Sequence, residues 1–292
     1  MAQTSAPARL RELLNKPGFI NALGIWDPYT ARVAESLGIQ CVHLGGYQLG
    51  AHLVVSEPLT SLTEVTNATR YITSAVKIPL VVDAGAGFGE PLHVMRAVRE
   101  IERAGAAGLH IEDQIYPKRA HYHVGIEHCI PRAEMVQKIK AAIAARTDPD
   151  FVIMARTDAM HTEGYEEGVA RANLYLEAGA DIVMVFPDTM EDALRAPKEI
   201  KGLLAYTNSE GNMLRRPLFS TDGFLKAGYK FSTYPTALLC PVTQTIKKIV
   251  TNLLETGVSG NDPEAMIPWR KEVETLIGLD EMYKIEAATV EH

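Results

Sequence analysis

A short phrase, in which a helix ends at a glycine and an apolar run follows, returns four times along the chain. It reads Ser36-Leu37-Gly38 before the run 39–44 and Arg103-Ala104-Gly105 before 106–111. It reads again as Glu177-Ala178-Gly179 before 180–186 and Lys226-Ala227-Gly228 before 229–234. Glycine just past a helix end takes the left-handed backbone that closes the helix, and the next residues turn into a strand. Four more apolar runs, 19–23, 78–82, 151–154 and 202–206, fill the gaps. None alternates polar with apolar residues, as expected of strands covered on both faces. Between them lie amphipathic helices: Val94, Ala97, Val98 and Ile101 share one face, as do Met135, Ile139, Ala142 and Ile143, with Pro131 expected in the first turn. Eight strands alternating with helices predict a closed parallel (β/α)8 TIM barrel, with an open doubly wound sheet as the alternative.

A chain of 292 residues accommodates one such barrel with some surplus. The prediction is a single domain over 1–292, with 236–292 as a C-terminal helical extension. Val242, Ile246, Ile249, Val250, Leu253 and Leu254 form an apolar stripe ending before Gly257. The stretch 258–268 reads as loop, and a last helix is expected from near Trp269. A closed barrel does not need this apolar helix, which predicts a homo-oligomer, a tetramer built from dimers. The net charge of −7 and the lack of any Lys/Arg-rich run argue against nucleic acid. No apolar run reaches 18 residues and no signal-like segment opens the chain, so neither a membrane nor secretion is expected. Cys41, Cys129 and Cys240, odd in number and far apart, read as reduced thiols of a cytoplasmic protein.

In a barrel, polar residues at the C-terminal strand ends build the active site. Strand three runs into Asp83 and a Gly85-Ala86-Gly87-Phe88-Gly89 loop, strand four into Glu112-Asp113, strand five into Arg156-Thr157-Asp158, and strand six into Asp188. Strand seven runs into Asn208-Ser209-Glu210. Asp83, Glu112 and Asp188 are candidates to converge on a hard divalent cation, Mg²⁺ with Mn²⁺ as the alternative. Arg156 suits a substrate carboxylate. Asp113 and Asp158 read at least as well as loop braces. The glycine loop lacks the Lys-Ser/Thr of a P-loop and reads as a place where backbone passes close to metal or substrate.

The segments Ile25-Trp26-Asp27-Pro28, Val82-Asp83-Ala84, Gly87-Phe88-Gly89, the stretch 104–114 ending His110-Ile111-Glu112-Asp113-Gln114, Pro117-Lys118-Arg119 and Ala155-Arg156-Thr157-Asp158-Ala159 resemble the signature segments of 2-methylisocitrate lyases. The resemblance covers residues 10–255 and extends to their relatives in the isocitrate lyase and phosphoenolpyruvate mutase superfamily. It implies Asp83 as the direct Mg²⁺ ligand, Glu112 as the holder of a metal-bound water, and Lys118 as the lysine of a mobile catalytic loop. It implies Arg156 and Asp188 as substrate contacts, Gly45, Gly46 and Tyr47 as a backbone cradle, and Asn208 and Glu210 as a polar pair lining the pocket. Glu57 falls near a position where relatives carry aspartate. Relatives also exchange C-terminal helices between subunits, which the surplus tail would permit.

Two departures qualify the match. The lyase loop Lys-Arg-Cys-Gly-His is replaced by Lys118-Arg119-Ala120-His121-Tyr122-His123, so the usual cysteine acid is missing. His121 and His123 are the expected substitutes, because imidazole titrates near working pH; Tyr122 is another donor. Solvated loop histidines are the plain alternative, and a zinc site of His121, His123 and His128 lacks a fourth ligand. Cys129 reads as an inert small hydrophobe. Gly85 stands where most relatives carry a second aspartate, which should weaken Mg²⁺ binding. The leading expectation is a Mg²⁺-dependent carbon–carbon lyase for a small 2-hydroxy or 2-oxo dicarboxylate. The alternatives are an oxaloacetate-type decarboxylase or hydrolase and an inactive ligand-binding relative. A phosphonate mutase or a hydroxymethyltransferase is more distant.

Overall fold

The computed structural model describes residues 4–290, so the outermost residues of the 1–292 assignment lie outside it. Eight parallel strands close into a barrel in sequence order. They are β1 (Ile20–Gly24), β2 (Cys41–Leu44), β3 (Leu80–Asp83), β4 (Gly108–Glu112), β5 (Val152–Thr157), β6 (Ile182–Val185), β7 (Leu204–Thr207) and β8 (Phe231–Tyr234). Ile20 pairs with Phe231 where β8 returns to β1. The four phrase glycines, Gly38, Gly105, Gly179 and Gly228, all adopt left-handed backbone, as the helix-end reading requires.

The helices of this unit are α1 (Ala6–Asn15), α2 (Pro28–Ser36), α3 (Gly46–Leu53), α4 (Leu62–Ala75), α5 (Pro91–Arg103), α6 (Arg132–Ala145), α7 (Ala159–Thr162), α8 (Tyr165–Glu177), α9 (Met190–Glu199) and α10 (Thr221–Ala227). Pro131 caps α6 from outside rather than occupying its first turn. Each strand serves two apolar layers in alternation. Val42, Leu44, Leu80, Val82, Leu109 and Ile111 face the helices. Ile20, Ala22, Val152, Met154, Ile182 and Met184 form the other layer, within the barrel. Leu10 and Leu14 of α1 join that inner layer, and Arg11 pairs with Asp181 just before β6. Helix α1 therefore closes the N-terminal end of the barrel, which leaves the C-terminal end for chemistry. Truncating a fully buried inner residue such as Phe231 to Ala costs about 3–5 kcal/mol.

The second compact unit begins at Leu239 and holds α11 (Leu239–Thr256), α12 (Pro263–Leu276) and α13 (Leu279–Thr289). The sequence expectation of a loop over 258–268 is corrected here. Asp262 caps α12 and Pro263 sits in its first turn, so Trp269 lies mid-helix rather than at a helix start. On α11 the stripe Val242, Ile246, Val250, Leu253 and Leu254 is exposed. No described helix is long and apolar enough to cross a membrane.

Candidate active site

A cavity of about 490 Å³ opens at the C-terminal mouth of the barrel. At its base Asp83 closes β3. Its Oδ2 accepts the Gly46 amide at 3.0 Å and its Oδ1 the Gly85 amide at 2.8 Å. Gly46 is the first residue of α3, so the amide end of that helix points at the carboxylate. A Cβ on Gly46 would stand 2.4 Å from Glu57 Cγ, and one on Gly45 2.2 Å from Gln48 Oε1, so the close approach requires glycine at both. Burial opposes ionisation of Asp83, but Lys118, Arg156 and the Gly46 amide hold its carboxyl well below the usual range. His110 faces it at 3.6 Å yet is itself kept neutral by burial. Below, His43 and His110 meet Nε2 to Nε2 at 3.0 Å, a buried imidazole pair that the sequence reading did not single out.

Glu112, wholly buried at the end of β4, faces two cations: Lys118 Nζ at 2.9 Å and Arg156 Nη1 at 3.0 Å. These are charge contacts without hydrogen-bond geometry, and neither Glu112 oxygen has a hydrogen-bond partner among the described residues. Burial pushes the Glu112 carboxyl up to about 7, against the pull of Arg156 and Lys118. Lys118 also donates to Glu57, whose other oxygen accepts the Tyr122 hydroxyl. Burial disfavours the ammonium, but Glu112 and Glu57 outweigh it and hold Lys118 charged. Burial and Glu57 together keep the Tyr122 phenol protonated.

Arg156 spends its Nε and Nη2 on Asp158, at 3.2 and 3.0 Å, and turns Nη1 to Glu112. It acts as a fixed positive charge, with less free edge than a bidentate substrate clamp needs. Asp113 is a brace, accepting from Thr157 and Tyr175 at 2.8 Å and facing Arg171 at 3.2 Å. Cys129 contacts Asp113 and Thr162, and burial pushes its thiol up.

Several expected site residues fall elsewhere. His121 is exposed in the short 3-10 turn Ala120–Val124 and does not line the cavity. His123 does line it, beside Tyr47 and 3.3 Å from Ser56 Oγ, but is largely exposed. The turn carries Tyr122 inward instead, so of the three loop candidates the phenol is the one engaged with the buried charges. Asn208 braces the chain after β7, pairing through both side-chain atoms with the backbone of Phe219 at 3.0 and 3.1 Å. Glu210 is exposed. Asp188 accepts from His161 Nδ1 at 2.6 Å and from Arg216 Nε at 3.3 Å, which makes it a holder of Arg216 rather than a wall of the cavity. Arg216, from the segment between β7 and α10, lines the cavity, and nothing in the sequence pattern singled it out.

Among the described residues no three His, Cys, Asp or Glu converge directly on one point. The donor set still fits a hard divalent ion. Asp83 offers ionised oxygens, and Glu112 keeps two buried oxygens that a metal-bound water would satisfy.

The chain as a whole has counterparts. The family model described as phosphoenolpyruvate phosphomutase matches residues 10–254. The chain is 36% identical over 282 residues to 2,3-dimethylmalate lyase of Eubacterium barkeri, covering 96% of each chain. It is also 36% identical to 2-methylisocitrate lyase of Aeropyrum pernix, over 95% of this chain and 89% of the relative. Among solved structures, 2,3-dimethylmalate lyase superimposes with a TM-score of 0.89 at 30% identity, covering 99% and 96% of the two chains. Oxaloacetate acetylhydrolase bound to 3,3-difluorooxalacetate gives 0.89 at 28%, covering 98% and 97%. A chain matched from end to end by these lyases, with Asp83, Glu112, Lys118 and Arg156 gathered at one barrel mouth, belongs to the phosphoenolpyruvate mutase/isocitrate lyase superfamily.

Proposed function

We propose that this protein is a carbon–carbon lyase that splits a small 2-hydroxy di- or tricarboxylate of the 2,3-dimethylmalate or 2-methylisocitrate type. The observation that carries the reading is the Asp83–Gly46 cradle set against the Lys118–Glu57–Tyr122 chain at the rim of one cavity. Asp83 would hold a divalent ion, Mg²⁺ by the chemistry of its oxygen donors, and Glu112 and Glu57 would take the waters around it. When bound, the ion polarises the α-oxygen and neutralises developing charge. The chain's own residues do the rest. The amide end of α3 and the fixed charge of Arg156 favour the substrate's α-carboxylate. The 2-hydroxyl passes its proton to a carboxylate of the site, for which Glu112 with its two unpartnered oxygens is placed. The C2–C3 bond breaks, C2 becomes a carbonyl, and the electron pair passes to C3. The Tyr122 hydroxyl delivers the proton that C3 then needs, the task for which Ala120 has no group. Lys118, held charged between Glu57 and Glu112, adds positive charge next to the reacting oxygen atoms.

The test is release of pyruvate from 2,3-dimethylmalate, with propionate as the other half, in the presence of Mg²⁺. Tyr122→Phe should lower kcat by about 10²–10⁴-fold while KM changes little, since proton donation acts in the transition state. Wild-type kcat in Tyr122→Phe would overturn the donor assignment. A second reading, oxaloacetate hydrolysis or decarboxylation, is favoured by Ala120, because those reactions do not use the missing cysteine. Turnover of oxaloacetate with no 2-oxo acid released from the dimethylmalate would put it first.

A further inference from the structure

The same cavity holds an arginine that the reaction above does not use. Arg216 is mostly buried, with 14% of its side chain exposed, and it lines the cavity. Its Nε is held by Asp188 at 3.3 Å, and Asp188 is held in turn by His161. Its Nη2 is buried with no partner among the described residues. The segment that carries it is built to present it. Asn212 Nδ2 donates to the Ser209 carbonyl at 2.7 Å, while its Oδ1 and carbonyl accept the amides of Arg216 and Arg215. Arg215 takes left-handed backbone (φ 51°), a strained conformation for a non-glycine residue and of the kind that clusters at ligand clamps.

Arg216 and Arg156 share one neighbour. The Phe186 ring lies 4.5 Å from Arg156 Cζ and 5.1 Å from Arg216 Cζ, so the two guanidinium carbons are within about 10 Å of each other. Arg156 is committed to Asp158 and Glu112, whereas Arg216 keeps a free edge. A buried N–H without a partner is costly unless a ligand completes it. The lining of the same cavity is apolar at Met184, Phe186 and Leu214, and Phe186 is the one set against both arginines.

We infer that Arg216 is a specificity-determining residue that anchors the substrate's second carboxylate, with an apolar branch of the substrate resting on Met184, Phe186 and Leu214. The inference rests on the reading that an α-oxycarboxylate binds at the Asp83–Gly46 end. It makes the preferred ligand a branched diacid built on a four-carbon main chain rather than a monoacid or oxalate-sized molecule.

A matched pair of probes tests it without turnover. 2-Methylmalate and 2-hydroxy-2-methylbutyrate share the α-hydroxy acid end and differ in a carboxylate against a methyl at the far end. Their dissociation constants, and that of oxalate, are measured by thermal-shift titration of the full chain with Mg²⁺. The wild-type protein should prefer the diacid by about 10- to 100-fold, the worth of one charge-assisted contact. Arg216→Ala should reduce that preference to within twofold and leave oxalate affinity unchanged. Arg216→Lys, which keeps the charge but not the fork, should retain part of the preference. A preference that survives Arg216→Ala, or is absent from the wild type, overturns the assignment while oxalate binding upholds the α-oxycarboxylate end. Failure of oxalate and the diacid alike to bind the wild type overturns that end, and the Arg216 inference with it.

Discussion

Glu57→Ala removes the one carboxylate that ties the loop 118–124 to the barrel mouth at two points. Glu57 accepts from Lys118 and from Tyr122, and the Lys118 and Glu57 side chains are only 5% and 9% exposed, so solvent screens the pair little. A hydrogen bond to a charged group contributes about 1.5–3 kcal/mol. Lys118 would keep Glu112 at 2.9 Å, with Arg156 then less well opposed, so part of the loss is recovered. The net cost to the closed loop is about 3 kcal/mol, a rise of about 10²-fold in the open population. Trypsin reports it directly at Lys118, which is buried and is cleavable only when the segment extends out of the site, whereas Arg119 is already exposed. Cleavage tracks the open population when opening and closing are fast. Cleavage at Lys118 should therefore accelerate about 10²-fold in Glu57→Ala, while the melting temperature of the barrel moves little, since the inner layer is untouched. A cleavage rate within twofold of wild type would refute the two-point tether.

Gly85→Asp should tighten Mg²⁺ binding by about 10–100-fold in calorimetry, because a Cβ there meets nothing within 4 Å and aspartate tolerates its left-handed backbone; unchanged affinity would remove Gly85 from the metal site. The Glu112 carboxyl, raised to about 7 in the folded chain, stabilises the metal-free protein below the usual carboxyl range, and that contribution is lost as pH rises through about 7. Mg²⁺ affinity should run the opposite way, climbing from pH 6 to 8 with Glu112 ionisation, and Glu112→Gln should flatten both profiles. The exposed stripe Val242, Ile246, Val250, Leu253 and Leu254 on α11 should be covered by another copy of the chain, and light scattering should give a tetramer; a monomer at micromolar concentration would count against it.

What the sequence disclosed and what it hid follow from how each feature is encoded. The barrel was legible because its signals are local and repeated: Gly38, Gly105, Gly179 and Gly228 each mark a helix end, and the strands they precede are continuous apolar runs. Asp83, Glu112 and Arg156 were legible because a strand end fixes both position and direction. The loop was not, since nothing in Ala120-His121-Tyr122-His123 says which side chain a 3-10 turn sends inward, and Glu57 lies 61 residues from the lysine it holds. Arg216 was hidden for the same reason: its partners His161 and Asp188 come from other βα units. The start of α12 carried a readable Asp262-Pro263 cap, obscured by the glycines and polar residues just before it and by Pro268 inside the helix.

The charges at the barrel mouth bear on the metal independently of any relative. Asp83, Glu57, Glu112 and Asp158 are four carboxylates with little or no exposure, set against two cations, Lys118 and Arg156. Two negative charges are left over in a place where water is excluded, which a fold tolerates only by protonating a carboxyl or binding a cation. Glu112 shows the first response, its carboxyl pushed up to about 7. A divalent ion at Asp83 would provide the second, and it would return Glu112 to its ionised form as it bound. The same imbalance explains why Lys118 and Arg156 keep their N–H groups on carboxylates and act on the α-oxycarboxylate end of a substrate only as fixed charges beside it. A substrate with a second carboxylate therefore needs a further cation, and Arg216, which faces Asp188 and the largely buried Glu127 but leaves its Nη2 without a partner among the described residues, is placed to supply it.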